Sequence, residues 1–276
     1  MKWLITGASS GLGLALAKAA LDRGDEVAGT VRSEAALAGF EALAPGRARG
    51  FLADMADEAA VVGAVDGAIR ALDGLDVLVN NAGYGLIGAV EEASLAEVRA
   101  QFEVNVFAPV AAIRTVLPHM RERRAGHIIN VTSVSGLAAW AGTGIYTGSK
   151  HALEGIGKTL AQEVRPLGIK VTNVEPGGMR TDYAGRSMRI TQQRIAAYAE
   201  TAHGAERTLG GHAGQEGGDP AKCAAAILRI AGAADAPVQL LLGADAVHYA
   251  TAEMGSFQEE FGRWAALSLS TGFEAA

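Results

Sequence analysis

The chain has 276 residues, 49% hydrophobic and 20% charged, enough for one large α/β domain with a buried core and too few for a second of similar size. A net charge of −6 offers no basic face to nucleic acid or anionic membrane, so small-molecule chemistry is the expectation. Cys223 is the only cysteine, no stretch reads as a signal peptide, and no uncharged apolar run approaches the roughly 20 residues of a membrane span, so a soluble, cytoplasmic protein is expected.

Seven apolar runs, residues 3–6, 26–31, 49–52, 77–80, 127–132, 170–174 and 238–242, alternate with segments long enough for crossover helices. Their near-continuous apolar character predicts strands buried on both faces, hence a parallel sheet. Right-handed crossovers make it a doubly wound (Rossmann) α/β sheet with helices on both faces, in one domain over 1–276. Two segments break this rhythm. Residues 183–219 are charged and end in Gly210, Gly211, Gly214, Gly217 and Gly218, which disfavour a helix, so a mobile insertion or substrate lid is expected. Residues 244–276 form a helical extension in which Phe257, Phe261 and Trp264 share one face, suited to core or subunit packing or to a substrate pocket.

Thr6-Gly7-Ala8-Ser9-Ser10-Gly11-Leu12-Gly13 follows the first strand and leads into a good helix former. Glycines there permit a tight turn and close approach of a pyrophosphate, whose charge the N–H groups of the following helix favour. An ordinary glycine turn is the alternative. The second strand ends Val31-Arg32, where a dinucleotide fold commonly presents a carboxylate to the adenosine ribose. A guanidinium in that place favours a 2′-phosphate, so NADP(H) is the expected cofactor, with NAD(H) possible; a solvated Arg32 is the alternative. Asp54, beside Met55 after the third strand, either accepts from the adenine amino group or caps the next helix. Asn80-Asn81-Ala82-Gly83 closes the fourth strand, where small and amide residues permit backbone approach or support the sheet.

Tyr146 and Lys150 stand four apart at the start of a predicted helix and so share a face. A phenol is a poor acid at neutral pH, but an ammonium about 4 Å away, at an effective dielectric of about 20, favours its phenolate by roughly 4 kcal/mol. That brings it into the range useful for proton transfer. Six scattered histidines form no paired ligand pattern, and no metal is expected.

Taken in order, Thr6-Gly-x-x-x-Gly-x-Gly13, Asn80-Asn-Ala-Gly83, Ser133 thirteen positions before Tyr146, Tyr146-x-x-x-Lys150, and Pro176-Gly177 followed by Thr181 closely resemble the short-chain dehydrogenase/reductase family, in its compact branch. The resemblance covers about residues 1–243 and implies that Tyr146 exchanges a proton with the substrate oxygen while hydride moves to or from nicotinamide. It further implies that Lys150 activates Tyr146 and holds the nicotinamide ribose, that Ser133 binds the substrate oxygen (Thr132 and Ser135 being alternatives), and that Asn105 supports a proton relay. Pro176, Gly177, Met179 and Thr181 resemble the loop over the nicotinamide. Ser10 departs from the basic residue often found there in NADP-preferring members.

The expected function is therefore reversible hydride transfer between nicotinamide and a ketone, aldehyde or secondary alcohol. Acyl-thioester ketoreduction and a catalytically idle dinucleotide-sensing regulator are the alternatives. Tyr84, Leu86, Ser135, Leu137, Trp140, Met179 and Tyr183 adjoin the expected site, and their apolar character suggests a lipophilic substrate. Family members usually associate through helices near 102–117 and 146–167, so a homodimer or homotetramer is expected.

Overall fold

A computed structural model of the chain describes residues 1–181, 187–211 and 214–273; Tyr183 and His212 lie outside these. All seven expected strands are present, with ends within two residues of those read from sequence: β1 (Lys2–Ile5), β2 (Glu26–Val31), β3 (Ala48–Leu52), β4 (Val77–Asn80), β6 (Gly126–Val131), β7 (Ile169–Pro176) and β9 (Gln239–Leu242). They form one parallel sheet in the order β3-β2-β1-β4-β6-β7-β9. The order reverses between β1 and β4, and a crevice opens at such a switch point beyond the carboxyl ends of the strands.

Side-chain alternation along each strand explains why the strands are apolar throughout. Trp3 and Ile5 point to one face, where they pack with Leu16 of α1 (Gly11–Asp22), Phe40 of α2 (Glu34–Glu41) and Ile227 of α8 (Pro220–Ala231). Leu4 points to the other, toward Val61 and Val65 of α3 (Glu58–Ala71), Val116 of α5 (Ala108–Arg123) and Leu160 of α6 (Gly144–Val164).

A feature absent from the sequence reading joins the middle of the sheet to α6. Asn80, Asn130, Asn173 and Gln239 occupy one register across β4, β6, β7 and β9. Asn80 donates to Asn130 (2.9 Å), Asn130 to Asn173 (3.0 Å), and Asn173 to the Glu154 carboxylate on α6 (2.9 Å). Gln239 donates to both Glu154 and Glu175 at 3.2 Å. Burial, reinforced by the charge of Glu154, raises the Glu175 carboxyl far above the usual carboxylate range, so it is held neutral.

Residues 188–211 are more ordered in sequence pattern than their glycines suggested. β8 (Met188–Ile190) pairs in parallel with β5 (Gly85–Ile87), and α7 (Ala202–Gly211) includes Gly210 and Gly211 in its last turn, although glycines disfavour a helix. The glycines sit where a helix is ending, so their cost there is small. The segment is tied to a short turn at Val90–Glu92 by the buried Glu92 carboxylate. Glu92 accepts from the N–H groups of Ala89 and Ile195, and His203 Nε2 lies 2.7 Å from it. These bonds hold the Glu92 pKa down to about 2 against the opposing effect of burial.

The neutral Glu175 generates a pH dependence. Unfolded, it ionises near 4.5; folded, it keeps its proton to higher pH, so the folded state binds more protons between those limits. Glu175→Gln should match wild type in urea midpoint near about pH 4 and become progressively the more stable as pH rises, by up to about 1.4 kcal/mol per pH unit. A constant difference across that range would show that Glu175 is ionised in the fold.

Candidate active site

The first wall of the crevice is the glycine turn after β1. Gly7 and Gly11 have φ of +67° and +54°, a left-handed backbone open to glycine. Gly13 has no room for a side chain, since a Cβ there would lie 2.5 Å from both Gly7 O and Asn81 Nδ2. Ser10 at the N-cap of α1 makes no side-chain capping bond, leaving the first-turn N–H groups uncapped by it, as an anion site requires. Ser9 is exposed and Ser10 half-buried on this turn, whereas Leu12 is buried in the core.

Asn81 and Ala82 support the turn. Asn81 Nδ2 donates to Thr6 O (2.8 Å) and Gly7 O (3.2 Å), and Thr6 Oγ1 accepts from the N–H groups of both Asn81 and Ala82. Thr30, which the sequence reading did not single out, accepts from Gly7 N at 2.9 Å and reaches Met55 Sδ at 3.7 Å. Met55 is buried and acts in packing. Asp54 is exposed and accepts from Ala56 N, while Asp57 caps α3, so the capping alternative belongs to the neighbouring aspartate. Arg32 is exposed at the end of β2, beside Ser33, whose hydroxyl caps α2. Thr181 approaches the same turn from the opposite side: its Cβ lies 3.7 Å from where a Gly11 Cβ would be. The backbone of this turn thus has the glycines and uncapped N–H groups that a pyrophosphate site would need.

At the other end, α6 presents Tyr146 and Lys150 on one face, with Lys150 Nζ 5.9 Å from the Tyr146 ring centroid. The Lys150 side chain is buried and donates to Val131 O at 2.9 Å. Burial lowers its pKa to about 8, so it is a cation at neutral pH and loses its charge above that value. Gly83 makes room for Asn105 beside it: a Cβ there would stand 3.1 Å from Asn105 Oδ1 and in ordinary contact, at 3.7 Å, with Lys150 Nζ.

Asn105 lies in a π-helical turn, Glu103–Phe107, and is buried. It accepts from Tyr84 N (3.2 Å) and donates to Tyr84 O (2.9 Å) and Ser149 Oγ (3.1 Å), and Ser149 in turn donates to Tyr146 O. Ser133 follows β6 and caps a 3-10 turn over Val134–Gly136, accepting from Ser135 N at 3.1 Å. Thr132 Oγ1 is committed to Val174 O at 3.1 Å.

The Pro176–Thr181 loop completes the crevice. Gly178 N donates to Asp245 (2.7 Å), Met179 bridges Gly218, and Arg180 Nε donates to Glu216 O. Tyr84 is buried beneath the Arg189 guanidinium, 4.3 Å from its ring centroid, and Leu86 is buried beside it. Among the described residues, no group of three or more His, Cys, Asp or Glu could hold a metal, and no helix is long and apolar enough to cross a membrane.

The family model described as short chain dehydrogenase matches residues 2–191. An oxidoreductase of Botryotinia fuckeliana, BOA17, is 38% identical over 98% of each chain. The crystal structure of a short-chain dehydrogenase from Streptomyces avermitilis superimposes with a TM-score of 0.91 at 39% identity, covering 98% of both chains. Two further solved relatives carry cofactor. One from Burkholderia phymatum is in complex with NAD (27% identity, TM-score 0.76, 87% of each chain), and a metagenomic oxidoreductase is in complex with NADP (28%, 0.69, 87% of this chain and 95% of that one).

The Gly13 contacts give a direct test of the cradle. Gly13→Ala must displace backbone at Gly7 or the Asn81 amide, and should weaken nicotinamide dinucleotide binding at least about tenfold while costing about 1–3 kcal/mol of stability. Fluorescence titration with NADPH and NADH reads the first, urea denaturation the second. Wild-type affinity in this variant would place the dinucleotide elsewhere.

Proposed function

Because the chain belongs to the short-chain dehydrogenase/reductase family of oxidoreductases, we propose that it is an NADP(H)-preferring enzyme interconverting a lipophilic ketone or aldehyde with its alcohol. The observation that best supports this reading is that Tyr146 and the buried Lys150 share one face of α6, with buried Asn105 bonded to Ser149 of the same turn and Ser133 opening the 3-10 turn after β6. A dinucleotide-sensing regulator has no need of such a set.

When bound, the nicotinamide supplies the hydride in reduction and accepts it in oxidation. Tyr146 gives its phenolic proton to the carbonyl oxygen, which becomes the alcohol oxygen, and takes that proton back in the reverse direction. Ser133 donates a hydrogen bond to the same oxygen and stabilises its developing charge. Lys150 keeps phenolate accessible near neutral pH and binds the nicotinamide ribose. Asn105 fixes Tyr84 and Ser149 and supports the water-mediated relay that returns a proton behind Lys150. Gly7, Gly11 and Gly13 admit the pyrophosphate, and Thr181 meets it across the crevice.

Arg32 favours NADP(H): it ends β2 exposed, with no carboxylate between residues 27 and 33 to bind a ribose 2′-hydroxyl or repel a phosphate. Asp54 faces solvent near the adenine side. Leu86, Leu137, Trp140 and Met179 give the substrate side its apolar character, and residues 188–211, latched by Glu92, serve as the substrate lid. A small or medium hydrophobic substrate suits that enclosure better than an acyl carrier. Copies associate through α5 and α6, whose outer faces form a shallow groove of about 550 Å³ lined by Val110, Ile113, His151 and Ile156 among others, and the assembly works in the cytoplasm.

A panel of ketones, aldehydes, secondary alcohols and a β-ketoacyl thioester, each run with NADPH and NADH, tests the proposal. Wild type should turn over an apolar ketone with NADPH. Tyr146→Phe should lose about 10²–10⁴-fold in kcat, and Arg32→Ala should raise KM for NADPH about tenfold while leaving NADH unaffected. Undiminished turnover in Tyr146→Phe would refute the mechanism; a preference for NADH would refute the role of Arg32; selective use of the thioester would refute the substrate class.

A further inference from the structure

The C-terminal helix α9 (Ala244–Leu269) has 26 residues and, at 1.5 Å per residue, is about 39 Å long. Its first turns are fixed to the body. Asp245 holds Gly178 N, Ala246 and Ala250 are buried, and Tyr249 meets Trp140 edge-on with ring centroids 5.2 Å apart. Beyond Ala250 no described residue of the helix is buried. Of the alternatives for Phe257, Phe261 and Trp264, packing into this chain's own core is not what is seen, which leaves subunit packing or a substrate pocket: they are 43%, 69% and 55% exposed, and Met254 is 63% exposed.

Those residues follow a strict pattern. Val247, Ala250, Met254, Phe257, Phe261 and Trp264 recur at alternating spacings of three and four, the seam of a helix that packs against another helix. Phe257 and Phe261 stack with centroids 5.9 Å apart and planes within 4°, making a flat aromatic platform at the middle of the exposed part. A membrane-lying helix carries a basic polar face, whereas the charged residues here are Glu253, Glu259 and Glu260 with a single Arg263. With aromatic side chains worth about 150–250 Å² each, the exposed seam supplies about 500 Å² per copy, or about 1,000 Å² when two copies meet, the lower threshold for a biological interface.

We propose that α9 is a self-association helix that pairs antiparallel with α9 of a second copy of this chain. With the twofold axis between Phe257 and Phe261, Phe257 of each copy meets Phe261 of the other, and Met254 meets Trp264, setting a thioether against an indole. Parallel pairing would oppose Trp264 to Trp264 and leave Met254 against Met254. Because the root of α9 carries Asp245 and Tyr249, this interface is continuous with the Pro176–Thr181 loop and with Trp140 on the substrate side. It is separate from the α5 and α6 faces, so the two contacts together would build a tetramer.

Sedimentation velocity over a range of concentrations, on the full chain, tests the pairing. The double variant Phe261→Asp/Trp264→Asp should halve the wild-type mass, with at least a 100-fold rise in the dissociation constant of that step. Met254→Glu, at the other end of the seam, should do the same and covers the case in which the double variant folds poorly. Glu259→Ala, on the polar face, should leave the mass unchanged. Wild-type mass in both seam variants would overturn the proposal, as would halving by Glu259→Ala. So would an unchanged mass combined with sedimentation of the wild-type chain, but not the seam variants, with phosphatidylcholine vesicles.

Discussion

The constraint on which the site turns is the burial of the Lys150 ammonium. Removing a cation from water is costly unless its donors find acceptors, and here burial lowers its pKa to about 8 while Val131 O takes one hydrogen bond. Everything nearby is shaped by that cation. A Cβ at Gly83 would press on Asn105 Oδ1 at 3.1 Å, and Asn105, in the π-helical turn at Glu103–Phe107, bonds Tyr84 and Ser149. On the proposed mechanism, a lysine whose pKa is lowered to about 8 would support Tyr146 at neutral pH and lose that effect in alkali.

The sheet makes this arrangement rigid. α6 must hold Tyr146 and Lys150 steady against β6 and β7, and Glu154, one turn past Lys150, ties it there through Asn173 and Gln239. The amide row continues through Asn130 to Asn80, the residue before the Asn81-Ala82 pair that supports the glycine turn. One hydrogen-bonded line thus connects the segments expected to hold the cofactor with the helix expected to do the chemistry. A neutral Glu175 is what lets two carboxyl groups share the end of that line without repulsion.

How much of this was legible from sequence depended on whether a signal was local and periodic. Buried parallel strands leave apolar runs, so all seven were readable, and Tyr146-x-x-x-Lys150 on a helix is a matter of spacing alone. The glycine turn was legible because its residues are demanded by backbone geometry, as the crowding at Gly13 makes plain. Contacts between distant segments were not: nothing in the run Val90-Glu91-Glu92 announces that Glu92 will be buried against Ile195 and His203, more than a hundred residues later. Thr30 was passed over for the same reason, its role being set by Gly7 across the sheet edge. The C-terminal helix is the converse case, since its apolar face is visible in the sequence but the structure was needed to show that no described residue covers it.

The central claim is that Lys150 supplies the charge that makes Tyr146 a proton-transfer group near neutral pH. It is tested most directly by the pH dependence of secondary-alcohol oxidation, followed by absorbance of the reduced cofactor, in wild type and Lys150→Ala, with cofactor affinity measured separately at each pH. The mechanism predicts that oxidation turns on at least about one pH unit higher in the variant. An unchanged onset with normal cofactor affinity would contradict it.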